Sequence, residues 1–203
     1  VALFGRADKA IARLIGMSGF QAIRADAQTH QRQAPVVKRD EKRGDGRQGE
    51  LGGGGSPRVE ALAASLRDAG FEPEIAPDIM SVIWSKFVHN CAINARCAVS
   101  GMRAGEVARH EAASAFLTHI LEEVVAVVGA KGITLTNADP IAYIKAHTFL
   151  RFNKPSMQQH MEAARPTEID SLNGALVREA KALGVAVPFN EALTLMVKAR
   201  EWA

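Results

Sequence analysis

From Asp78 to Trp202 the chain shows helical periodicity in stretch after stretch, each closed by a glycine or proline, with no strand-like alternation between them. Apolar residues at i, i+3 and i+4 put one stripe of each segment against a core. The spacing predicts a helix over Ile79–Val99, interrupted at Gly101, and a second over the Ala-, Val- and Leu-rich stretch Glu111–Ala130, stopped by Gly132. A third starts at Asp139-Pro140 and runs to about Phe149, a fourth covers Ser156–Ala164, a fifth Thr167–Leu183, and a last Glu191–Trp202. Asp139 before a proline, and Gly184 after a helical run, are the start and stop signals expected of helix ends.

The preceding 77 residues have a different texture. Ser56 before Pro57 opens a helix, because Ser is a good N-cap and Pro suits the first helical position. Gly70 ends that helix, and Phe71–Ala76 reads as a short extended segment. This helix-turn-strand unit looks like the last piece of an α/β domain. Helices following such a unit, rather than alternating with strands, indicate separate domains, so the boundary is placed near residue 78: an incomplete N-terminal remnant over 1–77 and a helical domain over 78–203. Val1–Gly5 reads as a possible strand and Ala10–Ile15 as one or two helical turns. Asp26–Gln48, dominated by Gln, Arg, Lys and Asp, cannot bury much surface and reads as a solvated loop. Its basic run at Lys38-Arg39 and Lys42-Arg43 is interspersed with Asp40, Glu41 and Asp45, so a solvated tail outweighs an anion-binding patch. Residues 1–47 are expected to be disordered or atypical, as in a truncated or out-of-frame start.

Composition excludes several classes of function. Of 203 residues, 47% are hydrophobic and 23% charged, the balance of an ordinary globular protein, and a net charge of +3 without a basic face carrying aromatics gives no case for nucleic acid. No apolar run approaching the ~20 residues of a membrane helix is apparent, and no signal peptide is apparent, so the expected location is the cytoplasm. The two cysteines, Cys91 and Cys97, lie in one predicted helix at a spacing that suits neither a disulfide framework nor a metal site. Gly52–Gly55 lacks the spacing of a phosphate-cradling loop and reads as a flexible turn.

Two segments break the apolar pattern. Lys86, Asn90 and Asn94 are spaced i, i+4, i+8 and project from one face of the first long helix. A cationic donor in line with two carboxamides suits a small polar acid or ketone; an exposed polar face is the alternative. Small or apolar neighbours such as Val88, Cys91, Ala92 and Ile93 favour a cleft. In the second segment, Ser156 stands at a helix start, where it could cap or contact a ligand. Glu168 follows Pro166, where a carboxylate could simply complement a helix dipole.

Together these segments resemble the C-terminal domain of the ketopantoate reductase (2-dehydropantoate 2-reductase) family, within the 6-phosphogluconate-dehydrogenase-like folds. The likeness rests on Trp84, Lys86, Asn90 and Asn94, on Ser156-Met157 followed by Thr167-Glu168-Ile169-Asp170-Ser171-Leu172-Asn173-Gly174, and on Gly184-Val185-Ala186-Val187-Pro188-Phe189-Asn190. It implies a mainly α fold: an all-helical C-terminal domain preceded by a truncated α/β, Rossmann-type remnant, with NADPH and substrate between them in the complete enzyme. The implied reaction is NADP(H)-dependent reduction of a 2-oxo acid to a 2-hydroxy acid, as in pantothenate biosynthesis. In that reading Lys86 is the general acid, Glu168 holds Lys86 and the cofactor, and Asn90, Asn94 and Ser156 bind the substrate; a homodimer is a possible assembly. Three features depart from the family. His160 replaces the aspartate three positions after the Ser-Met pair, Ala104 replaces an asparagine before Gly105-Glu106, and no G-x-G-x-x-G segment is present. The alternative expectation is a non-catalytic helical domain acting in dimerisation or partner binding.

Overall fold

The computed structural model describes residues 47–202, and these fall into two compact units, one ending at Met80 and the other beginning at Ser81. The first is a small β-α-β unit. Strand β1 (Arg47–Gln48) pairs in parallel with β2 (Glu74–Ile75), and helix α1 (Pro57–Asp68) connects them. Ser56 caps α1 by accepting the Val59 amide, with Pro57 in the first turn, as its sequence predicts. The loop expected over Asp26–Gln48 is corrected at its end: Arg47 and Gln48 are strand, because Ala76 and its neighbours supply a backbone edge that local composition cannot reveal. Gly49 allows this approach, since a Cβ there would lie 2.9 Å from the Ala76 carbonyl oxygen. The expectations for Val1–Gly5, Ala10–Ile15 and the basic run lie outside the described residues.

The second unit is helical. Its long helix α2 (Ile79–Ser100) is followed by α3 (Ala104–Arg109), α4 (Glu111–Ala130), α5 (Pro140–Phe149), α6 (Ser156–Glu162), α7 (Asn173–Leu183) and α8 (Pro188–Trp202). α4 is the central helix, packing against α3, α5, α7 and α8. By length and composition it is apolar enough to cross a membrane, which corrects the expectation that no such run exists. Its apolar side chains Leu117, Ile120, Leu121, Val124, Val127 and Val128 are buried within the unit.

Two further corrections concern backbone detail. Helix α3 was not expected, because six residues carry too little periodicity to register; the Glu106 carboxylate accepts the Arg103 amide at 2.7 Å and anchors its start. The helix expected over Thr167–Leu183 is broken into a 3₁₀ turn (Ile169–Ser171) and α7. Leu172, at φ −103° and ψ −100°, interrupts the helix there, and the Asn173 side chain is committed to a buried network. Gly184 closes α7 in the left-handed conformation (φ +71°).

Candidate functional site

Helix α2 is buried on most of its circumference. Trp84, Phe87, Val88, Cys91, Ala92 and Ala95 are all at 0% exposure, and Trp84 meets Phe87 edge to face at 5.1 Å between ring centroids. Lys86, Asn90 and Asn94 form a half-buried line along the remaining side. Four residues of helix rise about 6 Å, so the line runs about 12 Å from ammonium-bearing residue to second carboxamide. These three positions are half-buried, neither open to solvent nor enclosed in the core. Burial holds the Lys86 ammonium below the ordinary lysine range. Cys91 and Cys97 are buried free thiols, both raised by burial.

Ser156 and Glu168 belong to a second group. Pro155 occupies the N-cap of α6 and Ser156 the first helical position, so the serine hydroxyl does not cap the helix; it is half-buried. Gln158 ties α6 to the end of α2 by donating to the Gly101 carbonyl at 2.9 Å. The chain then reverses through Ala164 (φ +50°), with the Arg165 amide donating to the His160 carbonyl. The Thr167 amide donates to Glu201 of α8 at 2.7 Å, and the Glu168 carbonyl accepts from the Ser171 and Leu172 amides. This turn brings Glu168 back beside α6. Its Oε1 lies 3.4 Å from His160 Nδ1, and its Oε2 is buried without a hydrogen-bond partner. The dipole role weighed for Glu168 does not hold, because it stands before a three-residue 3₁₀ turn rather than in the first turn of α7.

His89 was missed from the sequence. It sits between Val88 and Asn90 on α2. His147 of α5 packs edge-on to it at 5.6 Å, and Tyr143 stacks on His147 at 5.9 Å. Desolvation, with the neighbouring His147, Arg151 and Lys86, drives its pKa down to about 4 against the pull of Asn90. The ring is therefore neutral near pH 7 and adds no charge beside Lys86. A histidine following two apolar residues on an otherwise buried helix was the available signal.

Several motif residues turn out to be architectural. Asn173 donates to the Cys91 carbonyl and to Asn190 Oδ1, both at 3.0 Å, which pins the start of α7 beside Asn90. Asn190 in turn donates to the Ile120 carbonyl and to buried Glu123. Gly174 lies within 3.2 Å, from its would-be Cβ, of Asp170 Oδ1 and the Ile169 carbonyl. Ala104 is buried at the start of α3, and Gly105 beside it donates its amide to the Arg151 carbonyl.

The glycine run of the first unit is not a phosphate cradle. The Gly53 amide donates to the Glu50 carbonyl and the Gly54 amide to the Pro77 carbonyl, so these groups are spent inside the turn. Glu168 Oε2, buried and unpartnered, is an acceptor suited to a ligand hydroxyl. For the phosphates of a dinucleotide the described residues offer no corresponding cradle.

Comparison with known proteins bears on both units. The family model described as "Ketopantoate reductase PanE/ApbA C terminal" matches residues 78–201. The 2-dehydropantoate 2-reductase of Archaeoglobus fulgidus is 31% identical over 153 residues, 75% of this chain and 51% of that protein. The crystal structure of a PanE/ApbA family ketopantoate reductase from Ralstonia eutropha JMP134 superposes with a TM-score of 0.70 at 30% identity, covering 78% of this chain and 52% of that one. A ternary structure of D-mandelate dehydrogenase with NADH and anilino(oxo)acetate matches at TM-score 0.63 and 27% identity, covering 76% of this chain and 84% of that chain. The chain thus spans about half the length of the curated relatives it matches.

Proposed function

Because the chain belongs to the ketopantoate reductase family, of which it carries the C-terminal domain, we propose that it supplies the acid-base and substrate-binding half of an NADPH-dependent 2-oxo acid reductase. The observation that carries this reading is the half-buried Lys86–Asn90–Asn94 line on an otherwise buried helix. NADPH supplies the hydride when bound. Protonated Lys86 donates its proton to the carbonyl oxygen as that oxygen gains negative charge, and its ammonium stabilises the developing alkoxide before transfer. Partial burial serves both tasks: it weakens the hold on the proton and strengthens electrostatic contacts by excluding water. Asn90, Asn94 and Ser156 offer amide and hydroxyl groups to the substrate's carboxylate and hydroxyl. Glu168 contributes one carboxylate oxygen to a cofactor hydroxyl.

The substrate is a 2-oxo acid other than, or broader than, ketopantoate. Ala104 brings no carboxamide to the start of α3, so pantoate-like hydroxyl groups lose one partner. The structure of D-mandelate dehydrogenase with NADH and anilino(oxo)acetate, similar in fold, supports including oxo acids with an aromatic group among the candidates. Purified protein should quench or enhance NADPH fluorescence on binding and oxidise NADPH in the presence of ketopantoate, 2-oxoisovalerate or benzoylformate. Absence of any response to NADPH at high concentration would end the enzymatic reading of this chain and leave its family membership intact.

A further inference from the structure

The turn from Glu162 to Glu168 brings together two side chains eight residues apart and leaves both incompletely satisfied. His160 and Glu168 are 35% and 31% exposed, with Nδ1 and Oε1 separated by 3.4 Å. Within that pair, His160 Nδ1 and Glu168 Oε2 are buried atoms with no aligned hydrogen-bond partner. A buried carboxylate oxygen lacking a donor is destabilising, so the arrangement is best completed by a donor from a ligand. Neighbouring carboxylates are already engaged: Glu162 by Lys154 at 2.7 Å, Asp170 by Lys198 at 2.5 Å, and Glu201 by the Thr167 amide at 2.7 Å.

We infer that His160 is a positioning residue for Glu168: its ring draws one carboxylate oxygen toward α6 and so presents the other to a bound ligand. This rests on the reading that Glu168 serves the reduction. The backbone on both sides is pinned, by the Arg165 amide on the His160 carbonyl and by the Ser171 and Leu172 amides on the Glu168 carbonyl. What is left free is the side-chain rotation of Glu168, which the imidazole limits. At 3.4 Å the contact is long for a hydrogen bond, and such contacts tighten when a site closes on its ligand. The aspartate expected at this position would set a second acceptor beside Glu168, whereas an imidazole sets a donor there.

Two measurements test this on the whole chain. Long-range proton–nitrogen spectra of the histidine rings, taken near neutral pH, should show the His160 ring nitrogens shifting in Glu168→Gln while the His110 and His119 signals stay in place. An unmoved His160 overturns the inference. In turnover with NADPH and a 2-oxo acid, His160→Leu should lower kcat roughly tenfold, the worth of one charge-assisted hydrogen bond, with a smaller change in KM for the oxo acid. His160→Asn, which keeps an N–H near the Nδ1 position, should recover most of that loss. Equal losses in the two variants, with unchanged thermal unfolding, also overturn it. A wild-type chain that neither binds NADPH nor turns over brings down the functional reading instead, and the ring spectra then decide the His160–Glu168 contact by themselves.

Discussion

Asn190 donates its side-chain N–H to the buried Glu123 carboxylate at 2.7 Å, and the amides of Phe189 and Asn190 donate to the same carboxylate at 2.8 and 2.9 Å. Glu123 thus satisfies the first-turn amides of α8 from the middle of α4 and joins the two helices. A carboxylate suits the place, because the free amides and dipole of a helix start favour negative charge. Replacing Glu123 with Ala strips three donors of their acceptor and should cost about 3 kcal/mol or more, at the upper end for buried hydrogen bonds to a charged group. Glu123→Gln keeps a carbonyl acceptor and should cost less. Urea denaturation of the two variants checks both size and order; equal losses would mean that helix capping is not the role of this residue.

His89 makes the fold sensitive to acid. Its pKa in the folded state is about 4, against an unfolded value near 6.5. Between those values the unfolded chain binds more protons, so stability rises with pH. The contribution is complete above about pH 6.5 and disappears as pH falls toward 4, with an upper bound of roughly 3 kcal/mol. Denaturant midpoints, measured at intervals from about pH 7.5 to 4.5, should show wild type losing stability relative to His89→Phe toward acid. Parallel curves would show that another group governs the acid limb.

Lys86 should give turnover an alkaline limit. A general acid works in its protonated form, so the rate falls as pH rises through its pKa, here below the ordinary lysine range because of burial. Lys86→Ala should lose about 10²–10⁴-fold in kcat with folding retained. Lys86→Arg keeps the charge but does not deprotonate in this range, so the alkaline limb should vanish along with most of the rate. Near-normal turnover by the alanine variant would remove Lys86 from the chemistry.

Gly105 allows α3 to approach the end of α5. A Cβ there would stand 2.5 Å from the Arg151 carbonyl oxygen and 3.2 Å from that of Phe149, and both obstacles are backbone. Gly105→Ala should therefore destabilise by about 1–3 kcal/mol, the usual penalty for overpacking. The same contact orders Arg109, whose guanidinium lies 4.0 Å over the Phe149 ring and 4.5 Å over that of Phe152. Thermal unfolding of the variant gives the answer, and an unchanged midpoint would show that α3 can shift at little cost.

Much of the helical structure could be read in advance because its signals are local. Asp139 caps α5 through the Ala142 amide, Ser56 caps α1, and Gly184 ends α7, each a matter of one side chain and a few amides. The Lys86–Asn90–Asn94 line was legible for the same reason, since helix geometry alone puts those residues on one side. The break at Leu172 was not legible. Thr167–Leu183 has continuous periodicity, and only the burial of Asn173 between Cys91 and Asn190 shows why the helix starts anew. The strand at Arg47–Gln48 was hidden too, since its partner lies 27 residues away.

The candidate site residues divide in the same way. Sequence alone determined the amphipathic segments, their caps, the polar line on α2 and the membership of Ser156 and Glu168 in a second motif, because each depends on spacing within one stretch of chain. Tertiary structure decided that α2 is buried around that line, that His160 stands against Glu168, that His89 is kept neutral chiefly by burial, and that Glu123 is an anchor rather than a surface charge. These outcomes depend on which side chains are deprived of water by residues far along the chain. Desolvation and pairing belong to the packed arrangement, and no local pattern encodes them.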